Sequence, residues 1–410
     1  MTAPLPRSQR LPEQGRPLTL RGSLRGSLWA LAALMMVAVN LRFSIAAVGP
    51  VLDEVRAELA LARPAAGLLT TLPVLCFGVL APLAAYAARR FGSQVVLVAS
   101  MAALVLGILL RSAGDRPWLF AGTLLLGAGA AAGNVLVPAL VKQDLVPIAG
   151  VAMALYTAML TGGAALAAWG TALVFDLGWS WRWALAAGAV PALLGLVLYA
   201  GWARGRLRVH EDTSVAAEMP EAGVWRSSTA WSLAAFFAGQ SFVFYAFLAW
   251  LPVMLQDEGV SLTVSGQMLS LYSLLGIVGA LVVPPLAVRR SDHRALAAVC
   301  AGGWLAGIAG LLLAPPAYLL WTLLLGVTQG AGIGMALTLV VLRARSNLVA
   351  RSLSGMVQMV GYLVAALGPL LMGALRDRTG SWQAPLLLLL GVAATMLLAA
   401  LGAGRDRKVG

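Results

Sequence analysis

Apolar residues run along this chain in blocks of about twenty or more, broken by short polar or charged stretches. A block of that length is what an α-helix needs to cross the ~30 Å hydrocarbon layer of a bilayer. Marked off in this way, the chain holds twelve predicted helices, at 28–51, 64–88, 93–112, 117–140, 149–173, 182–203, 229–254, 262–286, 295–314, 317–341, 353–374 and 384–403. The ninth and tenth are parted only by "APPAY". The longest polar interruption, "RGRLRVHEDTSVAAEMPEAGVWRSS" at 204–228, leaves six helices on either side. Short echoes cross it in corresponding order. "TLLLGAGAAAGNVLVPALV" in helix four matches "TLLLGVTQGAGIGMALTLVV" in helix ten, and "GPVLDE" at the end of helix one matches "LPVMLQDE" at the end of helix seven. The expected fold class is therefore an all-α membrane protein with twelve transmembrane helices in two pseudo-symmetric halves. Its expected organisation is a tail (1–27), a six-helix half (28–203), a linker (204–228), a second half (229–403) and a short tail (404–410).

Composition sharpens the class. Over 410 residues, 60% are hydrophobic and 11% charged, with a mean hydropathy of +0.87. That is too little polar surface for a water-soluble fold of this size. Arg7, Arg10, Arg16, Arg21 and Arg25 precede "LWALAALMMVAV" in the manner of a secretory signal, but no small-residue cleavage site leads into soluble sequence. This first block is expected to be a membrane helix. With the N-terminus inside, 21 of the 29 Lys and Arg fall in inside segments and seven in outside ones, leaving only Arg42 unassigned. The bias predicts both termini in the cytoplasm of an inner-membrane protein.

The net charge of +13 is scattered through short loops without interleaved aromatics, which argues against nucleic acid as a partner. The expected partners are a small-molecule solute and membrane lipid, and the chain is expected to be a monomer. Cys76 and Cys300 read as buried hydrophobes. His210 and His293 fall in loops, so no metal site or cofactor is expected. Arg289, Arg290, Arg294, Arg343, Arg345 and Arg351 read as topology signals and lipid-headgroup contacts. Arg182 reads as an interfacial anchor or a partner for Asp176.

Candidate chemistry begins with Arg42, in "AVNLRFSIAAVGP" of helix one. An arginine at the membrane centre costs about 2.5–3.5 kcal/mol on insertion scales. All sixteen acidic residues fall in loops, tails or helix ends, so no carboxylate waits mid-membrane to pair with it. The guanidinium fork suits a planar oxyanion, which makes Arg42 the leading solute contact. Asn40, two residues earlier, stands about 200° round an ideal helix and does not share its face. Asn134 in helix four and Tyr156 in helix five are further candidates. From the second half come Gln240, Tyr245, Gln267, Tyr272, Gln329, Gln358 and Tyr362, a neutral polar set able to face Arg42 across a cleft. Gly129 and Gly133, and Gly330 and Gly334, have the small-xxx-small spacing of close helix packing. No intramembrane Asp, Glu or His is available for catalysis, so neither an enzyme nor a catalytic residue is expected. A receptor is disfavoured by the absence of a soluble output domain.

The loop "AYAARRFGSQ" resembles the signature that the major facilitator superfamily carries after its second helix, matching at Arg90 and Gly92. Arg89 stands where that signature has aspartate, Ala85 where it has glycine, and Ser93 and Gln94 where it has basic residues. The aspartate's gating role therefore does not carry over. "NLRFSIAAVGPVLDEV", "AGLLTTLPVLCFGVLAPLA", "GNVLVPALVKQD" and "GWSWRWAL" resemble the superfamily's cyanate/nitroimidazole branch. The resemblance implies a secondary or facilitative transporter that moves a small polar or anionic solute by alternating access. Its alternative is an exporter of neutral heteroaromatics such as nitroimidazoles.

Overall fold

A computed structural model of the chain describes residues 20–145, 148–204 and 222–409. Arg7, Arg10 and Arg16 of the tail, and the linker segment 205–221 with His210, lie outside the described residues. Helices account for nearly everything else: α1 (Leu20–Ala46), α2 (Leu52–Leu59), α3 (Arg63–Val79), α4 (Ala81–Phe91), α5 (Ser93–Ala113), α6 (Arg116–Asp144), α7 (Ala149–Asp176), α8 (Trp181–Ala186) and α9 (Ala189–Ala203) precede the linker. After it come α10 (Ala222–Trp225), α11 (Ser228–Asp257), α12 (Leu262–Val288), α13 (Arg294–Leu313), α14 (Tyr318–Arg343), α15 (Asn347–Ala365), α16 (Leu367–Thr379) and α17 (Gln383–Ala403). In lipid every backbone polar group must be satisfied within the segment, and the helix does this at each apolar block.

Among the described residues, eleven stretches are long and apolar enough to cross a membrane. The pair α3 and α4, bent by 52°, supplies the twelfth. Apart from the first span, whose helix begins at Leu20 and breaks after Ala46, the expected limits hold to within about five residues, and "APPAY" becomes a 3-10 turn at Pro315–Ala317 between α13 and α14. Proline explains the breaks, since it lacks the N–H of the helical ladder and crowds the preceding turn. Pro50 sits in a 3-10 turn, Gly49–Val51, that ends α1, and Pro82 opens α4 after the bend. Pro191 and Pro369 lie in the first turns of α9 and α16.

Packing is closest where side chains are smallest. A Cβ on Gly330 of α14 would overlap the Gly276 carbonyl of α12, so these two backbones touch. Near the centre, α11 is buried on all sides over most of its length, with Phe236, Phe237, Tyr245, Phe247 and Trp250 sealed inside. The spans before the linker meet those after it mainly at the end of the bundle remote from the termini. There Thr71 Oγ1 donates to the Ala366 carbonyl at 2.7 Å, and Gln256 Nε2 donates to the Pro50 carbonyl at 3.2 Å. A Cβ on Gly67 would stand 2.6 Å from the Pro369 carbonyl. The Arg63 backbone N–H donates to Asp377 Oδ2 at 2.9 Å, and its guanidinium reaches Asp377 at 3.2 Å and Asp257 at 3.8 Å. Arg376 adds a 3.0 Å bond to Asp257. Further along span two, α3 packs on α15 and α16, whereas α4, nearer the termini, packs on α5 and α6.

Candidate solute-binding site

Arg42 lies half-buried on α1, with its guanidinium carbon 5.0 Å from the centroid of the Phe244 ring. A cation over an aromatic face gains about 0.5–2 kcal/mol, more as water is excluded. That offsets part of the cost of holding the charge in the membrane but supplies no counter-charge. Among the described residues, no carboxylate forms an ion pair with Arg42. Its electrostatic neighbours are instead four phenols: Tyr156, Tyr245, Tyr272 and Tyr362.

Aromatic contacts hold these phenols in place. Phe244 stacks on Tyr272 with centroids 6.0 Å apart and meets Tyr245 edge-on at 4.9 Å. Tyr362 is wedged between Phe77 of α3, at 5.5 Å, and Phe237 of α11, at 5.4 Å, with Tyr245 at 6.5 Å. Offset and edge-to-face pairs of this kind fix ring orientation as well as adding apolar contact. Tyr156 donates its hydroxyl to Asn134 Oδ1 at 3.3 Å. The hydroxyls of Tyr245 and Tyr272 are buried and meet no hydrogen-bond partner among the described residues. A phenol can donate to an incoming acceptor, and a buried phenol left unmatched costs about 1–3 kcal/mol. The arrangement is one fixed cation ringed by neutral donors on an apolar aromatic wall, which suits a small acceptor-rich solute.

Six candidates thus converge: Arg42, Asn134, Tyr156, Tyr245, Tyr272 and Tyr362. The rest are placed elsewhere. Asn40 is fully buried against span six, donating to the Met36 and Pro191 carbonyls at 2.7 and 3.0 Å. Gln329 lies over the α12 backbone and donates to the Ser273 carbonyl at 3.4 Å. Gln358 donates to Ser354 Oγ on its own helix at 2.8 Å. Gln267 is exposed near the start of α12. Gln240 donates to Ser241 Oγ at 3.1 Å while its Oε1 is buried without a partner. It lies one helical turn from Phe244, the ring beneath Arg42.

Several features were not visible in the sequence. Arg111 is a second buried cation, 1% exposed, although its position at a helix end made it look like a loop residue. It points inward and donates from Nη1 to the Ser44 carbonyl at 2.6 Å, two residues from Arg42. That carbonyl needs a donor because the Val48 N–H has moved to Ile45 where α1 ends. Arg343, expected to serve as a topology or headgroup residue, is also sealed inside. It donates to the Ala403 and Gly404 carbonyls at 3.2 and 2.8 Å and pairs with Asp406 at 3.0 Å. His293 is in a loop as expected but is 2% exposed, its Nδ1 2.7 Å from Arg343 Nη2 and its Nε2 2.9 Å from the Ala287 carbonyl. The guanidinium can only donate, so Nδ1 accepts and Nε2 carries the proton. Arg182 pairs with Glu58, which also accepts from Trp181 Nε1, and not with Asp176. Long-range pairings of this kind depend on which loops meet at one end of a bundle, which no local pattern encodes.

Twelve apolar crossings around a central polar cluster define a multi-pass membrane transporter. The chain belongs to the major facilitator superfamily, whose description, Major Facilitator Superfamily, matches residues 33–369 and so includes every candidate named above. It is 38% identical over 386 residues to the uncharacterized transporter YycB of Bacillus subtilis (strain 168), covering 93% of this chain and 95% of that protein. Identity to the 2-nitroimidazole transporter of Escherichia coli (strain K12) is also 38%, over 92% of this chain and 96% of the relative. The cyanate transport protein CynX of the same organism is 28% identical over 86% of this chain and 91% of its own length. Among solved structures, a bacterial homologue of the human lysosomal transporter Spinster, in an inward-facing and unoccupied conformation, superposes with a TM-score of 0.75. It shares 16% identity over 93% of this chain and 98% of its own, which shows the fold alone. Relatives from bacteria are consistent with residence in the inner membrane.

Proposed function

We propose that the chain moves a small planar anion across the inner membrane by alternating access, with Arg42 as its charge contact. The observation that carries this reading is the pairing of a cation that has no carboxylate partner among the described residues with buried, unmatched phenol donors around it. An anion entering the cluster supplies the missing counter-charge and accepts from the Tyr245 and Tyr272 hydroxyls. The occupied site is then close to neutral, so enclosing it costs less than enclosing bare Arg42. Occupancy thereby favours the closed states through which the two sets of six spans exchange access. With both termini in the cytoplasm, the closed end of the bundle faces outward and the described conformation faces inward.

The aromatic wall favours one second reading, a nitro-substituted heteroaromatic, in line with the name of the 38%-identical relative. A nitro group also presents two coplanar oxygens to a guanidinium fork, but without full negative charge. Transport assays in proteoliposomes separate the two. Under the main reading, Arg42→Ala abolishes uptake of small anions while the variant still inserts and purifies as a folded protein. Arg42→Lys restores part of it, because the charge returns and the fork does not. Undiminished anion uptake by Arg42→Ala sinks the proposal. Loss of 2-nitroimidazole flux in Arg42→Ala, in a protein whose parent never moves anions, establishes the second reading instead.

A further inference from the structure

At the end of the bundle that carries the termini, the chain does not trail away from α17. Residues 404–409 fold back across the ends of the neighbouring spans. Val409, 1% exposed, pairs with the extended backbone that follows α14. Its N–H donates to the Arg343 carbonyl at 2.7 Å, and its carbonyl accepts from the Arg345 N–H at 3.3 Å. Lys408 Nζ donates to the Leu342 carbonyl at 2.8 Å. A Cβ on Gly404 would stand 2.6 Å from Arg294 Cα, so the tail also lies directly against the first turn of α13. One sealed pair of side chains anchors its inner edge. Arg343 donates to the Ala403 and Gly404 carbonyls and to Asp406, and the His293 backbone N–H adds a 3.0 Å bond to the Gly404 carbonyl. His293 Nδ1 accepts from Arg343 Nη2 at 2.7 Å, and its Nε2 donates to the Ala287 carbonyl of α12. Together these bonds join α12, α13, α14 and α17 to the tail.

We propose that residues 404–409 are a strap over this end of the second half, and that His293 is its catch, released by one proton. The guanidinium can only donate, so the bond at Nδ1 exists only while the imidazole is neutral. Protonation puts an N–H on both ring nitrogens. Nδ1 then turns from an acceptor into a cationic donor aimed at a second cation, with both side chains buried. His293 is also the N-cap of α13, at the positive end of that helix's dipole, where a cation is disfavoured. The charged groups around the ring are Arg343 of α14, Arg289 and Arg290 after α12, Asp292 and Arg294 beside it in the chain, and Arg405 and Asp406 of the tail. Both carboxylates are committed, Asp292 to Arg294 at 3.7 Å and Asp406 to Arg343 at 3.0 Å. Imidazole is the side chain that ordinarily changes charge between about pH 5 and 8. The strap is therefore closed in neutral solution and opens as the solution bathing that end turns acid. The backbone it holds, at Ala344 and Arg345, leads directly into α15, which carries Tyr362 of the Arg42 cluster. Release thereby loosens the entry to an element of the solute site, whatever the solute.

Hydrogen exchange of the purified full-length chain is the test, followed by mass spectrometry at about pH 7.5 and about pH 5, either side of the usual imidazole transition, and divided by the intrinsic rate at each pH. The Val409 and Arg345 amides, both bonded across the strap, should be protected at the higher pH. Their protection should fall about tenfold at the lower pH, the scale of one lost hydrogen bond to a charged group, while amides of α5 keep theirs. His293→Asn sets a carboxamide oxygen where Nδ1 accepts, keeps a good N-cap and carries no titrating group, so its strap should stay protected at both values. Arg343→Met should leave the strap open at both. Asp406→Asn retains the imidazole and should still lose protection on acidification. Strap amides that are unprotected in the parent at neutral pH, protection that is indifferent to pH, or protection that survives in Arg343→Met overturns the proposal. A fall of the parent's size in His293→Asn overturns it too, as does a pH response abolished by Asp406→Asn, which would put the proton on that carboxylate. A matching fall in α5 also sinks it, because the change is then global acid unfolding.

Discussion

Tyr245 and Tyr272 carry an unusual combination of properties: full burial, proximity to a cation, and hydroxyls with no partner among the described residues. Deleting a satisfied buried hydroxyl destabilises a protein, but deleting an unmatched one removes a desolvation cost of about 1–3 kcal/mol. Tyr272→Phe should therefore leave melting temperature in detergent unchanged or slightly raised, while weakening anion binding roughly three- to tenfold. A fall in both together would show that the hydroxyl has a structural partner and no solute role. Tyr156 is the built-in contrast, because its hydroxyl already serves Asn134 at 3.3 Å. Tyr156→Phe leaves the Asn134 carbonyl oxygen short of a donor and should lower stability by about 1 kcal/mol. Thermal melts of the two variants side by side distinguish a phenol that waits for a ligand from one that braces a helix.

At the level of single helices, Arg111 ties the end of α1 to α5 through the Ser44 carbonyl. Its remaining guanidinium donors, Nε and Nη2, are buried without partners among the described residues, so it is costly to keep and costlier to truncate. Arg111→Ala strands the carbonyl and opens a cavity and should destabilise by about 2–4 kcal/mol. Arg111→Met, which keeps the volume and removes the buried charge, should cost much less. A melting temperature for Arg111→Met equal to that of the parent would refute the capping role, because methionine also lacks a donor for the Ser44 carbonyl. Span positions and the oddity of Arg42 were legible in the sequence, because each follows from hydrophobic run length or from one residue's local chemistry; the breaks at Pro50 and Pro82, inside spans expected to be continuous, were not. The separation of Arg42 from Asn40 was legible too: a two-residue offset turns Asn40 toward the Pro191 carbonyl of span six. Arg111 was not, because a basic residue at a helix end reads the same whether it snorkels outward or folds back over its neighbour. The glutamines divided for a similar reason. Helical periodicity states which residues share a face, but α12 and α14 meet along glycines that draw Gln329 onto backbone, while Gln267 is left exposed.

Across the whole molecule, the end remote from the termini is closed by an ionic cluster that no span contains by itself. Arg63 of α3 reaches Asp377 at 3.2 Å and Asp257 at 3.8 Å, Arg376 binds Asp257 at 3.0 Å, and Trp382 Nε1 donates to the same carboxylate at 2.9 Å. These groups are 17–31% exposed, between the surface pairs that contribute little and the sealed pairs whose removal costs several kcal/mol. Arg63 is the member that joins spans before the linker to spans after it, so its loss should bias the chain toward opening at that end. A difference of about 1 kcal/mol is roughly a fivefold shift in population. Thr71, whose hydroxyl donates to the Ala366 carbonyl within the closed contact, provides the reporter. In a background with Cys76 and Cys300 replaced by alanine, Thr71→Cys should react slowly with a membrane-impermeant maleimide and several times faster once Arg63→Ala is added. Asp377→Asn should give a smaller increase, since Asp257 still engages Arg63 and Arg376. A saturating anion should slow labelling in both, by favouring the enclosed site around Arg42. Labelling that is indifferent to Arg63 would mean that backbone contacts such as Gly67 against Pro369 hold the end shut without the ions.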